Sequence, residues 1–169
     1  LFSAELISSP DSIFLKTKQL TEGTRNINGL NTSPDGKLIA FSLNYVIKSN
    51  IYTIPINGGE KTQITFFDSS HAIYPAWSPD GNKISFTSNR DGHAQIYVMN
   101  ADGSDQVNIS SNSESDSGPS WSTDGTKIAF SSMRDDATWG EIYTMNADGT
   151  DVIRLTDNNT YDGTPSWSP

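Results

Sequence analysis

The sequence predicts an all-β fold, a β-propeller built of four-stranded antiparallel blades and present as an open arc or fragment. Trp77 recurs as Trp121 and Trp167, at spacings of 44 and 46 residues. An Asp-Gly pair recurs shortly after each of the first two, and no window shows the 3.6-residue periodicity of a helix. A repeat of about 45 residues that holds four short strands is typical of propeller blades, which stack to bury their faces.

The first half of the copy around Trp77 predicts two strands joined by a tight turn. Ala76-Trp77-Ser78 is a short apolar/polar alternation, and Pro79-Asp80-Gly81 then favours a turn because Pro fixes φ and Gly accepts positive φ. Residues 83–88 alternate with a period of two, so that Ile84 and Phe86 share one face and polar residues occupy the other. This pattern predicts a half-buried strand.

The second half of the copy predicts two more strands. Residues 95–99 are rich in β-branched and aromatic residues, Asn100-Ala101-Asp102-Gly103 favours a turn, and residues 106–109 close the unit. Over the whole chain, this interpretation predicts strands at 29–33, 37–43, 50–55, 61–65, 74–78, 82–88, 95–99, 106–110, 119–122, 126–132, 141–145 and 152–156, and no helix longer than about two turns.

The repeat divides the chain, residues 1–169, into parts of a single propeller region. Full blades are predicted at 22–65, 66–110 and 111–156, with a partial blade at 1–21 and the start of a further blade at 157–169. Segments 1–7 and 12–16, separated by the turn cluster Ser9-Pro10-Asp11, are expected to be the third and fourth strands of the partial blade. Leu20 supports this placement because it precedes Ile64 by 44 residues.

The last blade stops within its first turn, at Ser168-Pro169. We therefore expect the chain to be part of a longer propeller, a fragment, or a protomer that completes its ring with another chain. An open arc leaves apolar blade faces without a neighbour, and such faces favour self-association.

Composition excludes several classes of partner. The net charge is −9, from 20 acidic and 11 basic residues, which disfavours binding to nucleic acid or to an anionic membrane surface. The apolar runs are far shorter than the roughly 18 residues of a membrane span. The absence of cysteine excludes disulfides and thiol chemistry, and it is compatible with a periplasmic or secreted chain.

Four ordered motifs resemble the blades of TolB-like β-propellers. They are the turn Pro-Ala-Trp-Ser-Pro-Asp-Gly at 75–81, the strand Lys-Ile-Ala-Phe at 127–130, the segment Ile-Tyr-Thr-Met-Asn-Ala-Asp-Gly at 142–149, and the closing pair Leu155-Thr156. The resemblance extends from about residue 19 to the end of the chain. Each motif is short, and their repetition in the same order makes the likeness specific for the fold.

The resemblance implies a non-catalytic, protein-binding scaffold similar to the periplasmic component of the Tol system. Such a protein would be periplasmic or secreted, would need no cofactor, and would bind a partner of the peptidoglycan-associated lipoprotein type. The same blade also resembles the propeller domains of larger peptidases of the prolyl-oligopeptidase or tricorn type, and that of oligogalacturonate lyase. These enzymes are the alternative, since a fold alone does not fix a function.

The candidate partner-binding residues lie in the loops that lead into each first strand, where the sequence varies while the frame repeats. They are Asn28, His71, Tyr74, Asp116, Tyr161 and Asp162. In a propeller such loops open at one mouth of the central channel, and their acid, amide, aromatic and imidazole groups suit polar recognition. The alternative is that they are simply solvated loops.

No motif in the sequence indicates catalysis or metal binding. There is no Gly-x-Ser-x-Gly elbow, no His-Glu-x-x-His helix and no Asp-rich calcium loop. His71 has only His93 as a second imidazole, on a different loop, so we expect no metal and no cofactor. The repeated Trp residues are expected to pack between blades rather than to stack on sugars, because each occupies the same place in its blade.

Overall fold

A computed structural model describes residues 2–9, 12–20, 26–135 and 140–168. This part of the chain is all-β, with no helix, as predicted, and hence none long enough to cross a membrane. The strands β1 (Phe2–Ser9) and β2 (Ser12–Gln19) form an antiparallel hairpin. The predicted turn cluster Ser9-Pro10-Asp11 and the predicted end of the partial blade at residue 21 fall partly on Pro10, Asp11 and Thr21, which lie outside the described residues.

Three four-stranded antiparallel sheets follow the hairpin, each with its strands in chain order. The first sheet contains β3 (Ile27–Thr32), β4 (Leu38–Asn44), β5 (Ser49–Pro55) and β6 (Thr62–Gln63). The second contains β7 (Ala72–Trp77), β8 (Lys83–Ser88), β9 (Gln95–Asn100) and β10 (Val107–Asn108). The third contains β11 (Asp116–Trp121), β12 (Lys127–Ser132), β13 (Glu141–Asn146) and β14 (Ile153–Arg154).

Each first strand begins two or three residues earlier than predicted, because a β-bulge lets the pairing continue past an irregular point. Gly29, Tyr74 and Gly118 occupy the bulge with φ values of 67°, 54° and 66°. Two of the three are glycine, which adopts positive φ without steric cost. The sequence-based boundaries were wrong here because a glycine before a strand also reads as a loop signal.

Each fourth strand is only two residues long, although five were predicted, because side chains replace part of the strand pairing. The hydroxyl of Thr65 accepts a hydrogen bond from the backbone N–H of Ile51 at 2.8 Å. The Thr156 hydroxyl likewise accepts a hydrogen bond from the backbone N–H of Ile142 at 2.9 Å. The outer strand thus ends at the Ile64-Thr65 and Leu155-Thr156 pairs, and the threonine hydroxyl supplies the hydrogen-bond acceptor that the backbone N–H of the third strand needs.

The middle strands are buried on both faces, which corrects the prediction of half-buried strands. Ser85 and Thr87, expected at a solvent face, are as buried as Ile84 and Phe86. Each sheet has a neighbouring sheet against it, and the small hydroxyl side chains allow close approach. One core cluster joins Ala40, Ile51 and Ile64 of the first sheet to Ala72, Trp77, Ile84, Phe86, Tyr97 and Met99 of the second.

The last apolar residue of each repeat packs onto the next sheet. Ile64 joins the core of the second sheet, and Ile109 packs against the cluster of the third. Leu20, which precedes the first sheet, belongs to the cluster formed by Phe41 and Tyr52. Leu155 holds the same position after the third sheet and is 58% exposed.

The turn after each first strand is fixed by one repeated hydrogen-bond network. In the second sheet, the Ser78 hydroxyl donates to Asp80 at 2.6 Å and accepts from the N–H of Lys83 at 2.9 Å. Gly81 has a φ of 72°, and a side chain there would approach the ring of Pro34 on the previous sheet. The neighbouring turns therefore stack on one another.

Trp77 and Trp121 bridge neighbouring sheets, as predicted, and Trp167 contacts the third sheet. Trp77 lies in the core cluster between the first and second sheets. The indole N–H of Trp121 donates to the carbonyl of Ala76 at 3.2 Å, and that of Trp167 donates to the carbonyl of Ser120 at 3.1 Å. Each bond reaches the first strand of the preceding sheet.

Candidate functional site

One end of the sheets gathers the loops between second and third strands together with the segments that enter the next sheet. The Asp116 N–H donates to the carbonyl of Ala94 at 2.7 Å, and the Asp162 N–H donates to that of Gly140 at 2.7 Å. We call this end the loop face. It comprises residues 45–48, 66–71, 89–94, 111–115 and 157–162.

Half of the predicted partner-binding residues lie on strands instead of in the loops where they were expected. Asn28 lies within β3, Tyr74 within β7, and Asp116 is the first residue of β11. Their position follows from the early start of the first strands. Asn28 is half-buried, and its carbonyl accepts a hydrogen bond from the hydroxyl of Ser42.

His71 lies on the loop face between the first and second sheets. Its Nδ1 is 2.9 Å from the hydroxyl of Ser49, and its backbone N–H donates to Asn89 Oδ1 at 2.8 Å. It also lines a small cleft of about 140 Å³ with Ile73 and Ala94. Among the described residues, no three His, Asp or Glu side chains come together as metal ligands, and His93 is exposed.

Tyr74 marks the contact between the first strands of neighbouring sheets. A Cβ on Gly29 would lie 2.7 Å from the Cα of Tyr74, so only glycine fits beside it. Tyr74 itself has positive φ, which is uncommon for an aromatic residue and costs local strain. Its side chain is partly exposed, at 37%, and is available to a partner.

Asp116 is fully buried and therefore belongs to the frame of the protein rather than to its surface. Its carboxylate lies 3.0 Å from the guanidinium of Arg134 and accepts a hydrogen bond from the Asn112 amide. The Arg134 guanidinium also lies 5.1 Å from the ring centre of Tyr143. Asp116 was predicted to be a surface recognition residue, and this expectation is corrected.

Tyr161 and Asp162 lie on the loop face beyond the third sheet. Tyr161 is more than half exposed, although a Cβ on Gly140 would come within 2.8 Å of its ring. The Asp162 carboxylate accepts a hydrogen bond from the Asn158 amide at 2.8 Å, and its carbonyl accepts one from the Ser131 hydroxyl at 2.8 Å. Of the two, Tyr161 is the more accessible to a partner.

Three exposed apolar side chains on the loop face were missed in the sequence. Val46, Ile47 and Phe66 are 99%, 65% and 75% exposed. Val46 and Ile47 form the tip of the turn between β4 and β5, which the Tyr45 N–H closes by donating to the carbonyl of Lys48 at 2.7 Å. The available signal was a pair of β-branched residues in a tight turn, where Gly, Asn or Asp is usual.

Arg90, on the loop face, packs its guanidinium against aromatic rings of the core. Its guanidinium lies 3.9 Å from the ring centre of Tyr97 and 4.6 Å from that of Phe67, and it donates to Gln106 Oε1 at 2.8 Å. Burial, together with the hydrogen bond that the Tyr97 hydroxyl donates to Asp91, raises the pKa of Tyr97 to about 12. Tyr97 thus stays neutral and serves as part of the packing.

Comparison with known proteins shows which family has this architecture. A family model described as the TolB β-propeller domain matches residues 14–169. A TolB-type structure from Agrobacterium tumefaciens is 28% identical and superposes with a TM-score of 0.78, covering 92% of this chain and 61% of that one. A puromycin-hydrolysing peptidase from Mycobacterium tuberculosis is 13% identical with a TM-score of 0.73, covering 90% of this chain and 25% of that one, and it shows the fold alone.

A curated relative is the dipeptidyl-peptidase 5 of Porphyromonas gingivalis, which is 31% identical over 85 residues. That match covers 47% of this chain and 12% of the peptidase. The chain therefore spans only part of the length of these relatives. The fold predicted from the sequence, a β-propeller seen here as an unclosed set of blades, is confirmed. With its family match over residues 14–169, the chain belongs to the TolB β-propeller domain family.

Proposed function

We propose that this chain is a non-catalytic, protein-binding propeller module, and that its partner docks on the loop face of the first sheet. The observation that carries the proposal is the exposure of Val46, Ile47 and Phe66. Large apolar side chains that stand together on a surface mark interaction sites, because their burial by a partner is favourable.

The two loops that carry these side chains are held together. The Asn50 side chain donates to the carbonyl of Phe67 at 3.0 Å and accepts from its N–H at 2.8 Å. The ammonium group of Lys48 lies 3.3 Å from the carboxylate of Asp68. Exposed apolar side chains flanked by polar groups are typical of a protein interface.

The repeat itself supplies the comparison that separates recognition from packing. At a spacing of 45 residues, Val46 corresponds to Asp91 and Phe66 corresponds to Ser111. The second sheet folds with polar residues at both positions, so the frame does not require apolar ones. Their presence in the first sheet and not in the second supports a role outside the fold.

The resemblance to the Tol component suggests the partner and the compartment. We propose a periplasmic or secreted location and a partner of the peptidoglycan-associated lipoprotein type, contacted through Val46, Ile47 and Phe66, with His71 on the same loop face. This part of the proposal rests on family likeness, because one fold serves several functions.

The test is a binding measurement with the soluble domain of a peptidoglycan-associated lipoprotein. We expect binding by the parent chain and a loss of at least about tenfold in the V46D/I47D variant, roughly 1.4 kcal/mol or more. Val107→Asp is the matched control, since Val107 is also exposed but lies on an outer strand. Binding that V46D/I47D leaves unchanged, or no binding by the parent chain, would contradict the proposal.

A second candidate is the propeller domain of a larger peptidase, and the 31% identity to the dipeptidyl-peptidase favours it. In that case the catalytic groups would come from outside the 169 residues. Both candidates predict that the 169 residues alone release no product from dipeptidyl amide substrates, and turnover that survives purification to homogeneity would overturn both. The binding measurement with the lipoprotein domain separates them, because only the first candidate predicts binding that V46D/I47D weakens.

A further inference from the structure

The end of the sheets opposite the loop face is formed by the turns after the first and third strands. β4 begins at Leu38, next to the turn that follows β3, and ends at Asn44, next to the loop face. We call the opposite end the turn face. It comprises residues 33–37, 56–59, 78–82, 101–104, 122–126 and 147–150.

The turn face carries two clefts of the same construction, one at each boundary between sheets. The cleft between the first and second sheets has a volume of about 430 Å³, and that between the second and third about 300 Å³. Each has the Ser-Pro-Asp turn of one sheet on one side and the Trp and Asp-Gly turn of the next on the other. We call them the first and second clefts.

The two clefts differ in charge. The first is lined by Asp35, Asp80 and Asp102 and by no basic residue. The second is lined by Asp80, Asp124 and one cation, Lys83. Lys37 lies 3.3 Å from Asp35, but it is outside the lining of the first cleft and its side chain is 80% exposed.

One substitution within the repeat explains this difference. Lys83 on β8 faces Asn100 and donates to its side chain at 2.9 Å, and Lys127 on β12 donates to Asn146 at 3.1 Å. The first sheet has Leu38 at the equivalent position, facing Pro55. The first cleft therefore lacks the lysine that the other two sheets supply.

The carboxylates of the first cleft are held in their ionised form. Hydrogen bonds from the hydroxyls of Ser33, Ser78 and Ser104 lower the pKa values of Asp35, Asp80 and Asp102, respectively. No ion pair joins Asp80 or Asp102 to a basic residue in the described part of the chain. The charge at this point is thus negative and, for two of the three groups, unpaired.

Trp77 adds an aromatic wall to the first cleft. It lines the first cleft, is more than nine-tenths buried, and its indole N–H has no hydrogen-bond partner among the described residues. The equivalent indole of Trp121 donates to a backbone carbonyl. A cation is also attracted to an indole ring, most strongly where water is excluded.

We propose that the first cleft binds a basic side chain, Arg or Lys, presented by a peptide segment of a partner protein. The aliphatic stem would lie along Leu38 and Trp77, and the cationic group would meet the carboxylates. The site is independent of the loop face, so the chain would have two separate recognition surfaces.

The experiment is a titration with N-acetyl-arginine methylamide, followed by the indole N–H resonances of the isotope-labelled chain. We expect a saturating shift of the Trp77 resonance at roughly millimolar ligand. The uncharged isostere N-acetyl-citrulline methylamide should produce no saturating shift, and 1 M salt should weaken the arginine probe by screening. Trp77→Phe identifies the resonance.

Two reciprocal variants test whether the first cleft binds the arginine probe because it lacks the lysine of the other sheets. Leu38→Lys gives the first sheet the residue of the other two and should abolish the shift while the spectrum stays folded. Lys83→Leu removes the cation of the second cleft and should produce a new saturating shift at Trp121. Equal shifts with arginine and citrulline probes, or binding that survives Leu38→Lys, would overturn the proposal.

Discussion

Asp116 and Asp162 occupy equivalent positions 46 residues apart, yet their surroundings differ. Asp116 is buried against Arg134, and Asp162 bonds an exposed amide. We expect Asp116→Ala to lower the free energy of unfolding by about 3–5 kcal/mol, because the largely buried guanidinium of Arg134 loses its partner. Asp162→Ala should cost under about 1 kcal/mol. Urea unfolding of both variants measures the difference, and equal losses would contradict the structural role of Asp116.

Asp124 should titrate far below its usual range. The Ser122 hydroxyl and the N–H and hydroxyl of Thr126 donate to it and lower its pKa to about 2. Because the unfolded pKa is about 3.9, the contribution of Asp124 to stability is present above that pH and is lost as the pH falls through about 2. Carboxyl NMR titration checks the value.

The matched variants for that titration are two serine substitutions. Ser122→Ala removes the strongest donor and should raise the pKa of Asp124 towards its usual value. Ser113→Ala, at an exposed serine on the loop face, should leave it unchanged. A normal pKa for Asp124 in the parent chain would show that the turn network is open in solution.

For single residues, the sequence predicted the burial of apolar side chains better than that of polar ones. Ile84, Phe86 and Trp77 were identified as core from alternation and repetition, which report apolar faces directly. The burial of Asp116 was missed because its partner, Arg134, is 18 positions away and no local pattern joins them. The recurrence of an acid at Asp162 gave no signal of this burial, because the Asp162 carboxylate bonds an exposed amide instead of a guanidinium.

At the scale of the strands, we expect the Thr65 hydroxyl to stabilise the fold although Thr65 lies beyond the end of β6. Thr65→Val keeps the shape but leaves the buried N–H of Ile51 without an acceptor. We expect a loss of about 1–3 kcal/mol in the free energy of unfolding. Thr62→Val, on an exposed position of β6, should change it by less than about 0.5 kcal/mol. Denaturant melts distinguish the two, and equal effects would exclude the hydroxyl as a substitute for strand pairing.

The type and order of the strands were predictable, and their ends were not. Alternation and turn residues identified each of the twelve strands in the three sheets. The bulge at Gly29, Tyr74 and Gly118 was hidden because a positive φ inside a strand has the same sequence signal as a loop. The short fourth strands were hidden because a threonine hydroxyl can replace a backbone group only in three dimensions.

At the scale of the whole molecule, the exposed Leu155 indicates an open sheet face. Leu20 and Ile64 hold the same position in earlier repeats and are buried. We expect the chain to self-associate at micromolar concentration, and Leu155→Ser to weaken that association, because exposed apolar surface favours contact. Val107→Ser is the control at an exposed residue on an outer strand. Light scattering that shows a stable monomer of 18.4 kDa would contradict the expectation.

The outer strands of the three sheets have a consequence for how such contacts form. β6, β10 and β14 are two residues long, and a threonine or serine hydroxyl closes each sheet beyond them. A strand from another molecule therefore finds almost no free backbone ladder to extend at these three outer edges, which is how natural sheets resist amyloid-like growth. Contacts at the outer edges of the three sheets should thus be side-chain contacts that dissociate on dilution, and not added strands.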